Sequence, residues 1–256
     1  MRHLDERSIE LREKILDMVA KSHKGHIKSA FSCLEIVRVL YDDILKPDDK
    51  CILSKGHGCL AQYIMLAEKG YFPEGELYTF CNDGALLGGH PSAKIPGVEI
   101  ATGSLGHGLS VGIGFALMGH DTYVILGDGE CNEGAVWEAA MCASKHHLNN
   151  LTGIIDYNKQ QSYGADIEVM SLSPFVDKWR SFGWDTVEVD GHNVKELCYG
   201  FSWNSGTGNP KVIIANTIKG RGIKLITDNP RWHYRDDITD EEINKLYEAL
   251  YAENLF

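Results

Sequence analysis

Apolar side chains recur at helical spacing over residues 5–21, with Leu11, Ile15, Leu16 and Val19 on one face of an amphipathic helix. Ser32, followed three residues on by Glu35, has the form of a capping box and predicts a second helix from there to about Leu40. Pro47 and the two aspartates after it break the chain, Cys51–Ser54 is short enough for a strand, and a helix from about Leu60 has a natural stop at Gly70. Residues 81–114 are dense in glycine and hold His90 and His107; they form either a long loop feeding a tightly packed helix or a ligand cradle. After residue 120 the pattern alternates. Strands are expected at 123–126, 151–156, 184–190 and 211–215. Helices are expected at 133–147, from Pro174 to Gly183, and from Val194 to about Trp203. Thr239 with Glu242 caps a last helix striped by Ile243, Leu246 and Leu250. Strand and helix in alternation with short connections imply parallel βαβ units, hence an α/β class with a doubly wound, mostly parallel sheet flanked by helices. No linker, low-complexity segment or repeat divides the chain, so residues 1–256 are expected to form one domain.

Composition narrows the function. The 256 residues are 43% hydrophobic and 24% charged, which is ordinary globular usage and enough chain for a real core. A net charge of −11 argues against binding nucleic acid through its phosphates. An anionic ligand would therefore need a metal or backbone N–H groups. The seven cysteines are odd in number and include no Cys-x-x-Cys pair, which points to a reducing compartment. The opening residues carry no apolar signal region and no apolar run is long enough to span a membrane, so a cytoplasmic protein is expected.

The candidate chemistry sits where ligands bind in open α/β sheets, beyond the carboxyl ends of the strands. The strand at 123–126 runs into Gly127-Asp128-Gly129, and the next strand runs into Asp156-Tyr157-Asn158. The side chains of Asp128 and Asn158 are hard oxygen donors suited to Mg²⁺ or Ca²⁺. The glycines let the backbone approach a phosphate, and the following helix is expected to aim its first N–H groups there. A hairpin turn at Asp128-Gly129 would need a strand after it, where a helical pattern follows. An EF-hand would need glycine at Glu133 and a glutamate at Ala139. Gly106, Gly108 and Gly112 offer a distant match to a dinucleotide fingerprint, with the wrong spacing and no use for Asp128 or Asn158, so an NAD(P)-dependent oxidoreductase is the alternative from another class.

The stretch from Gly127 to Ala140, with Asn158 about thirty residues on, resembles the thiamine diphosphate motif, and more specifically the N-terminal half of transketolases. Four further blocks resemble that family in the same order: Ser54–Gly58, Gly89–Pro91, Pro96–Gly108 and Val189–His192. The resemblance implies a diphosphate-binding (PP) domain with thiamine diphosphate as cofactor. Asp128, Asn158 and the Gln160 carbonyl would hold Mg²⁺ (or Ca²⁺) against its two phosphates. Gly129 would touch the diphosphate, and Gly103, Ser104 and Leu105 would line the cofactor's middle. His57 would lie near the diphosphate and the reaction centre, with His26, His57, His90 and His233 along the channel for a sugar or sugar phosphate. Imidazoles titrating near neutral pH can donate to a sugar hydroxyl and take its proton back. His107 stands where many relatives carry glutamine. His146 and His147 read instead as partners of a helix dipole. Glu133 resembles a family glutamate that contacts the partner half; it can equally be an acid stabilised by a helix N-terminus. Lys28 and Ser29 depart from the family's small residues. Lys28 would either narrow the channel, or meet an acidic substrate, or be solvated. The family's second, pyrimidine-binding half does not follow Phe256. The resemblance therefore implies a separate C-terminal subunit in an α₂β₂ assembly, and transfer of a two-carbon ketol unit from a ketose to an aldose. A 2-oxo-acid decarboxylating or carboligating subunit is the alternative within the cofactor class.

Overall fold

Five strands build the sheet of the computed structural model, which describes residues 4–162, 164–227 and 229–254. They are β1 (Lys50–Leu53), β2 (Thr122–Gly127), β3 (Leu151–Tyr157), β4 (Asp185–Asp190) and β5 (Lys211–Asn216). All pair in parallel, in the spatial order β1-β2-β3-β5-β4. The mostly parallel α/β class expected from the alternating pattern is the one observed. Such a sheet is covered on both faces, so the inner strands β2, β3 and β5 are mostly apolar, whereas the edge strand β4 alternates polar and apolar residues. Successive residues split between two cores. Ile125, Ile154 and Ile213 face α1 (Glu6–Ser22), α2 (Ile27–Val39), α3 (Cys59–Glu68), α7 (Val194–Ser202) and α8 (Asp240–Asn254). Val124, Ile155 and Val212 face α4 (Gly108–Leu117), α5 (Gly134–Lys145) and α6 (Phe175–Ser181). Among the described residues no helix is long and apolar enough to cross a membrane.

Asp5 caps α1 by accepting the Ser8 N–H at 2.7 Å. The Thr239–Glu242 box forms reciprocally, each backbone N–H meeting the other's side chain at 3.0 and 3.2 Å. The Ser32–Glu35 box does not form. The helix begins earlier, at Ile27, and both residues lie buried inside it. Their side chains are committed to tertiary contacts instead. Ser32 Oγ donates to Asp156 Oδ1 at 2.7 Å, and Glu35 takes both arms of the Arg12 guanidinium at 2.5 and 3.1 Å and His192 Nδ1 at 2.7 Å. The glycine-dense stretch does feed a tightly packed helix. A Cβ on Gly112 of α4 would fall 2.6 Å from Val124 Cγ2, so only glycine lets α4 lie this close to β2. A short hairpin pairing Gln160–Gln161 with Gly164–Ala165 follows β3, too brief to leave a periodic signal.

Candidate functional site

The tips of β2 and β3 are neighbours, Gly127 pairing with Asp156. Just beyond them Asp128 and Asn158 are both buried. Asp128 accepts the Gly129 N–H at 2.8 Å and the Lys159 N–H at 2.5 Å. Asn158 is oriented by its surroundings. Its amide nitrogen donates to Ser32 Oγ (3.2 Å) and Asp156 Oδ2 (3.4 Å), and its oxygen accepts the Gln160 N–H at 3.0 Å. Asp156 is fully buried and also takes Lys55 Nζ and the Thr217 hydroxyl. Burial works to raise its carboxyl, but the Lys55 ammonium and the Thr217 and Ser32 hydroxyls together hold it below the usual range. Lys219 Nζ donates to the Gln160 carbonyl at 3.1 Å. Burial, with Lys55 beside it, lowers Lys219.

The segment after Asp128 differs from expectation. It is a four-residue 3₁₀ turn, Gly129–Asn132, and α5 starts only at Gly134, so the helix N-terminus is not at the strand tip. Glu130 explains the turn. Its buried carboxylate accepts the N–H groups of Gly127 (3.0 Å) and Gly106 (2.9 Å) and the Ser54 hydroxyl, tying three loops together.

Four segments bring imidazoles to the same place. The His26 ring lies 5.8 Å from His57, 5.6 Å from His90 and 5.5 Å from His233, centroid to centroid, and His57 lies 6.0 Å from His233. Glycines allow this crowding. A Cβ on Gly56 would come 2.7 Å from Thr102 Oγ1, and one on Gly103 (φ +135°) would come 3.1 Å from the His90 ring. Together with the strand tips these rings enclose a cavity of about 230 Å³.

The cluster is electrically neutral at pH 7. Burial, then His233 and His90, depresses His26 to about 3. Burial, then Lys219 and Lys55, depresses His233 to about 4. His57 and His90 are lowered by burial as well. In the unfolded chain these rings titrate near pH ~6.5. Between roughly pH 4 and 6.5 the unfolded chain therefore binds more protons, so stability falls as pH drops through that window, by up to about 1.4 kcal/mol per pH unit for the well-buried His26 and by less for the more exposed His90 and His233. Asp128 acts in the opposite sense, because burial and Asp156 raise its carboxyl. Glu130, raised by burial, acts in the same sense as Asp128, so two carboxyls oppose four imidazoles and the balance is a net loss on acidification. Urea unfolding measured from pH 7 downward is expected to show a falling midpoint; a flat or rising one would contradict a neutral cluster.

Of the residues singled out from sequence, His26, His57, His90 and His233 border the cavity, as do Gly103, Leu105, Asp128, Gly129, Asn158 and Gln160. Ser104 is exposed and does not line it. His107 is exposed at the start of α4, its Nδ1 beside the Ser104 and Leu105 carbonyls. Glu133 is exposed at the start of α5. Lys28 is not solvated: it is 3% exposed, and its Nζ donates to the Asn229 carbonyl at 3.4 Å. Lys55, Glu130, Asp156, Lys219 and Tyr234 were not singled out. Lys55 and Glu130 lie inside the matched blocks and Asp156 two residues before Asn158, and their burial as charges is what sets them apart.

The donor set fits a hard divalent cation. Asp128, Asn158 and the Gln160 carbonyl offer only oxygen, and each oxygen keeps a lone pair beyond the bonds described. Asp156, by taking the Asn158 N–H, fixes the amide with its oxygen turned away from that carboxylate. A backbone cradle without side chains continues at Gly129, where a Cβ would meet Gln161 Cγ at 3.0 Å. Gly106 and Gly108 do not form a dinucleotide loop. Their Cβ positions fall against Glu133 and Ser54, so their role is close packing.

Fold and site together define an α/β protein with a cavity at its strand tips, bordered by hard oxygen donors on one side and imidazoles on the other. Residues 5–253 match the family described as the thiamine diphosphate binding domain of transketolase, and the chain belongs to that family. It is 36% identical to an apulose-4-phosphate transketolase subunit of Phocaeicola vulgatus over 95% of this chain and 94% of that one. It is 40% identical to a 6-deoxy-6-sulfo-D-fructose transketolase subunit of a Clostridium species over 83% of each. Human transketolase is 35% identical over 94% of this chain but only 41% of its own length. The structure of transketolase from Leishmania mexicana superposes with a TM-score of 0.87 at 26% identity, over 99% of this chain and 42% of that one. The chain thus spans nearly all of the Phocaeicola protein and about two fifths of the human and Leishmania enzymes.

Proposed function

We propose that this chain is the diphosphate-binding subunit of a two-component transketolase, completed by a separate pyrimidine-binding subunit in an α₂β₂ assembly. The reaction is transfer of a two-carbon ketol unit from a ketose to an aldose. The observation that carries this reading is one cavity bordered both by Asp128 and Asn158 and by four neutral imidazoles. When bound, thiamine diphosphate supplies the carbon nucleophile and the electron sink for C–C cleavage. This chain's residues hold and orient. Asp128, Asn158 and the Gln160 carbonyl bind Mg²⁺ (Ca²⁺ suits the same donors), the Gly129 backbone approaches the diphosphate, and Gly103 and Leu105 flank the cofactor's middle. A neutral imidazole has one N–H donor and one lone pair, so it can donate to one sugar oxygen and accept a proton from another. His26, His57, His90 and His233 supply four such pairs, which suits a polyhydroxylated substrate better than a 2-oxo acid. Glu133, exposed at the start of α5, is available to the partner subunit. The seven unpaired thiols support a reducing compartment, such as the cytoplasm.

The purified chain, given thiamine diphosphate, Mg²⁺, a ketose donor and an aldose, is expected to show no turnover alone and to gain it when the second subunit is added. Robust turnover by the single chain would defeat the split-enzyme reading.

A further inference from the structure

Among the described residues, Tyr234 is the one aromatic ring in the cluster to which the transketolase resemblance gives no role. It packs on His26 with centroids 4.6 Å apart and planes tilted by 42°. It is 41% exposed, and its hydroxyl has no hydrogen-bond partner among the described residues. An exposed tyrosine is ordinarily free to move, but this one stands on a fastened segment. The Gly25 N–H donates to the Arg235 carbonyl at 2.9 Å, and the Arg235 N–H returns to the Gly25 carbonyl at 3.4 Å. The Arg235 guanidinium lies 5.1 Å over the Trp232 ring and grips Glu242 with two bonds of 3.2 Å. Ile238 and His23 close the far end at 3.2 and 2.7 Å. His26 and His233 border the cavity while Tyr234 does not, so the phenol lies beside the cavity, partly exposed and packed on one of its lining rings. A ring on an anchored backbone, packed on its neighbour and ending in an unspent O–H, is the kind of group that fixes a ligand's orientation at low entropic cost.

We infer that Tyr234 is a specificity-determining residue, which reads the far end of the acceptor sugar. Its O–H donates to an oxygen on the acceptor's distal carbon, whether a hydroxyl or the oxyanion of an ester. The favoured substrate class is therefore an aldose long enough to emerge from the cavity. The inference rests on the ketol-transfer reading above. A site that spends a polar group on such a contact discriminates against acceptors lacking the oxygen.

The test uses the assembled two-subunit enzyme, wild type and Tyr234→Phe, which keeps the ring on His26. Three acceptors are compared with one donor: glycolaldehyde, which has no distal carbon, D-ribose and D-ribose 5-phosphate. Relative to glycolaldehyde, kcat/KM for a long acceptor is expected to fall about tenfold in the variant, through KM, as loss of one hydrogen bond implies. A loss with both long acceptors assigns the contact to a hydroxyl, and a loss with the phosphate ester alone assigns it to the oxyanion. Affinity for the unreactive alditols, ribitol and its 5-phosphate, is expected to weaken by the same factor in a titration without turnover. Equal losses for all three acceptors would mark a structural role and overturn the proposal, as would no change with any. Wild-type enzyme inactive with all three would overturn the ketol-transfer reading itself, and the proposal with it.

Discussion

Replacing Asp128 with alanine is expected to weaken thiamine diphosphate binding in the presence of Mg²⁺ by at least about a hundredfold, since loss of even a supporting group around a metal commonly costs 10- to 100-fold. Asp128 is the only carboxylate in the proposed donor set, so it supplies the one full negative charge on the protein side of the cation. Its place is secured without the cation, by the Gly129 and Lys159 N–H groups. The variant loses these two bonds as well, so a modest loss of stability is expected to accompany the loss of the cofactor. Titration calorimetry on the purified chain reads the affinity, and circular dichroism checks the fold. Asp128→Asn should fall between, because an amide oxygen still ligates but carries no charge. An unchanged affinity in Asp128→Ala would remove the cation site from the account.

The second large effect concerns stability. Lys55 and Asp156 are both almost wholly buried and bonded to each other. Removing one partner leaves a charge in a low-dielectric interior with nothing to balance it, at a cost of about 3–5 kcal/mol. Lys55→Met is expected to lower unfolding stability by about that amount, read as a shift in the urea midpoint at constant slope. The damage should also reach the site, because Asp156 orients the Asn158 amide. A loss below about 1 kcal/mol would mean that the pair is not held as described.

Much of this was legible in the chain. The parallel sheet followed from the alternation of apolar strands with helices after residue 120, because strands covered on both faces need continuous apolar runs. The tip residues Asp128 and Asn158 stood out because each directly follows such a run. The early helix boundary was not legible. Ser32 and Glu35 have the spacing of a cap, yet their partners, Asp156, Arg12 and His192, are remote in sequence. Local pattern cannot distinguish a carboxylate that caps from one that pairs across the core. Lys28 was ambiguous for the same reason, its Asn229 partner being 201 residues away. The turn after Asp128 was missed because Glu130 folds back onto Gly106 and Gly127, a contact with no periodic trace. Local pattern does not group the imidazoles, because they come from four separated segments; the family resemblance alone placed His26, His57, His90 and His233 along one channel.

The three oxygen donors at the strand tips all belong to this one polypeptide. On the reading above, the coenzyme's pyrophosphate end can be docked before any second gene product arrives. Charging and assembly then become separable events. A single loaded component could serve alternative mates, each bringing its own sugar preference, without rebuilding the anchor.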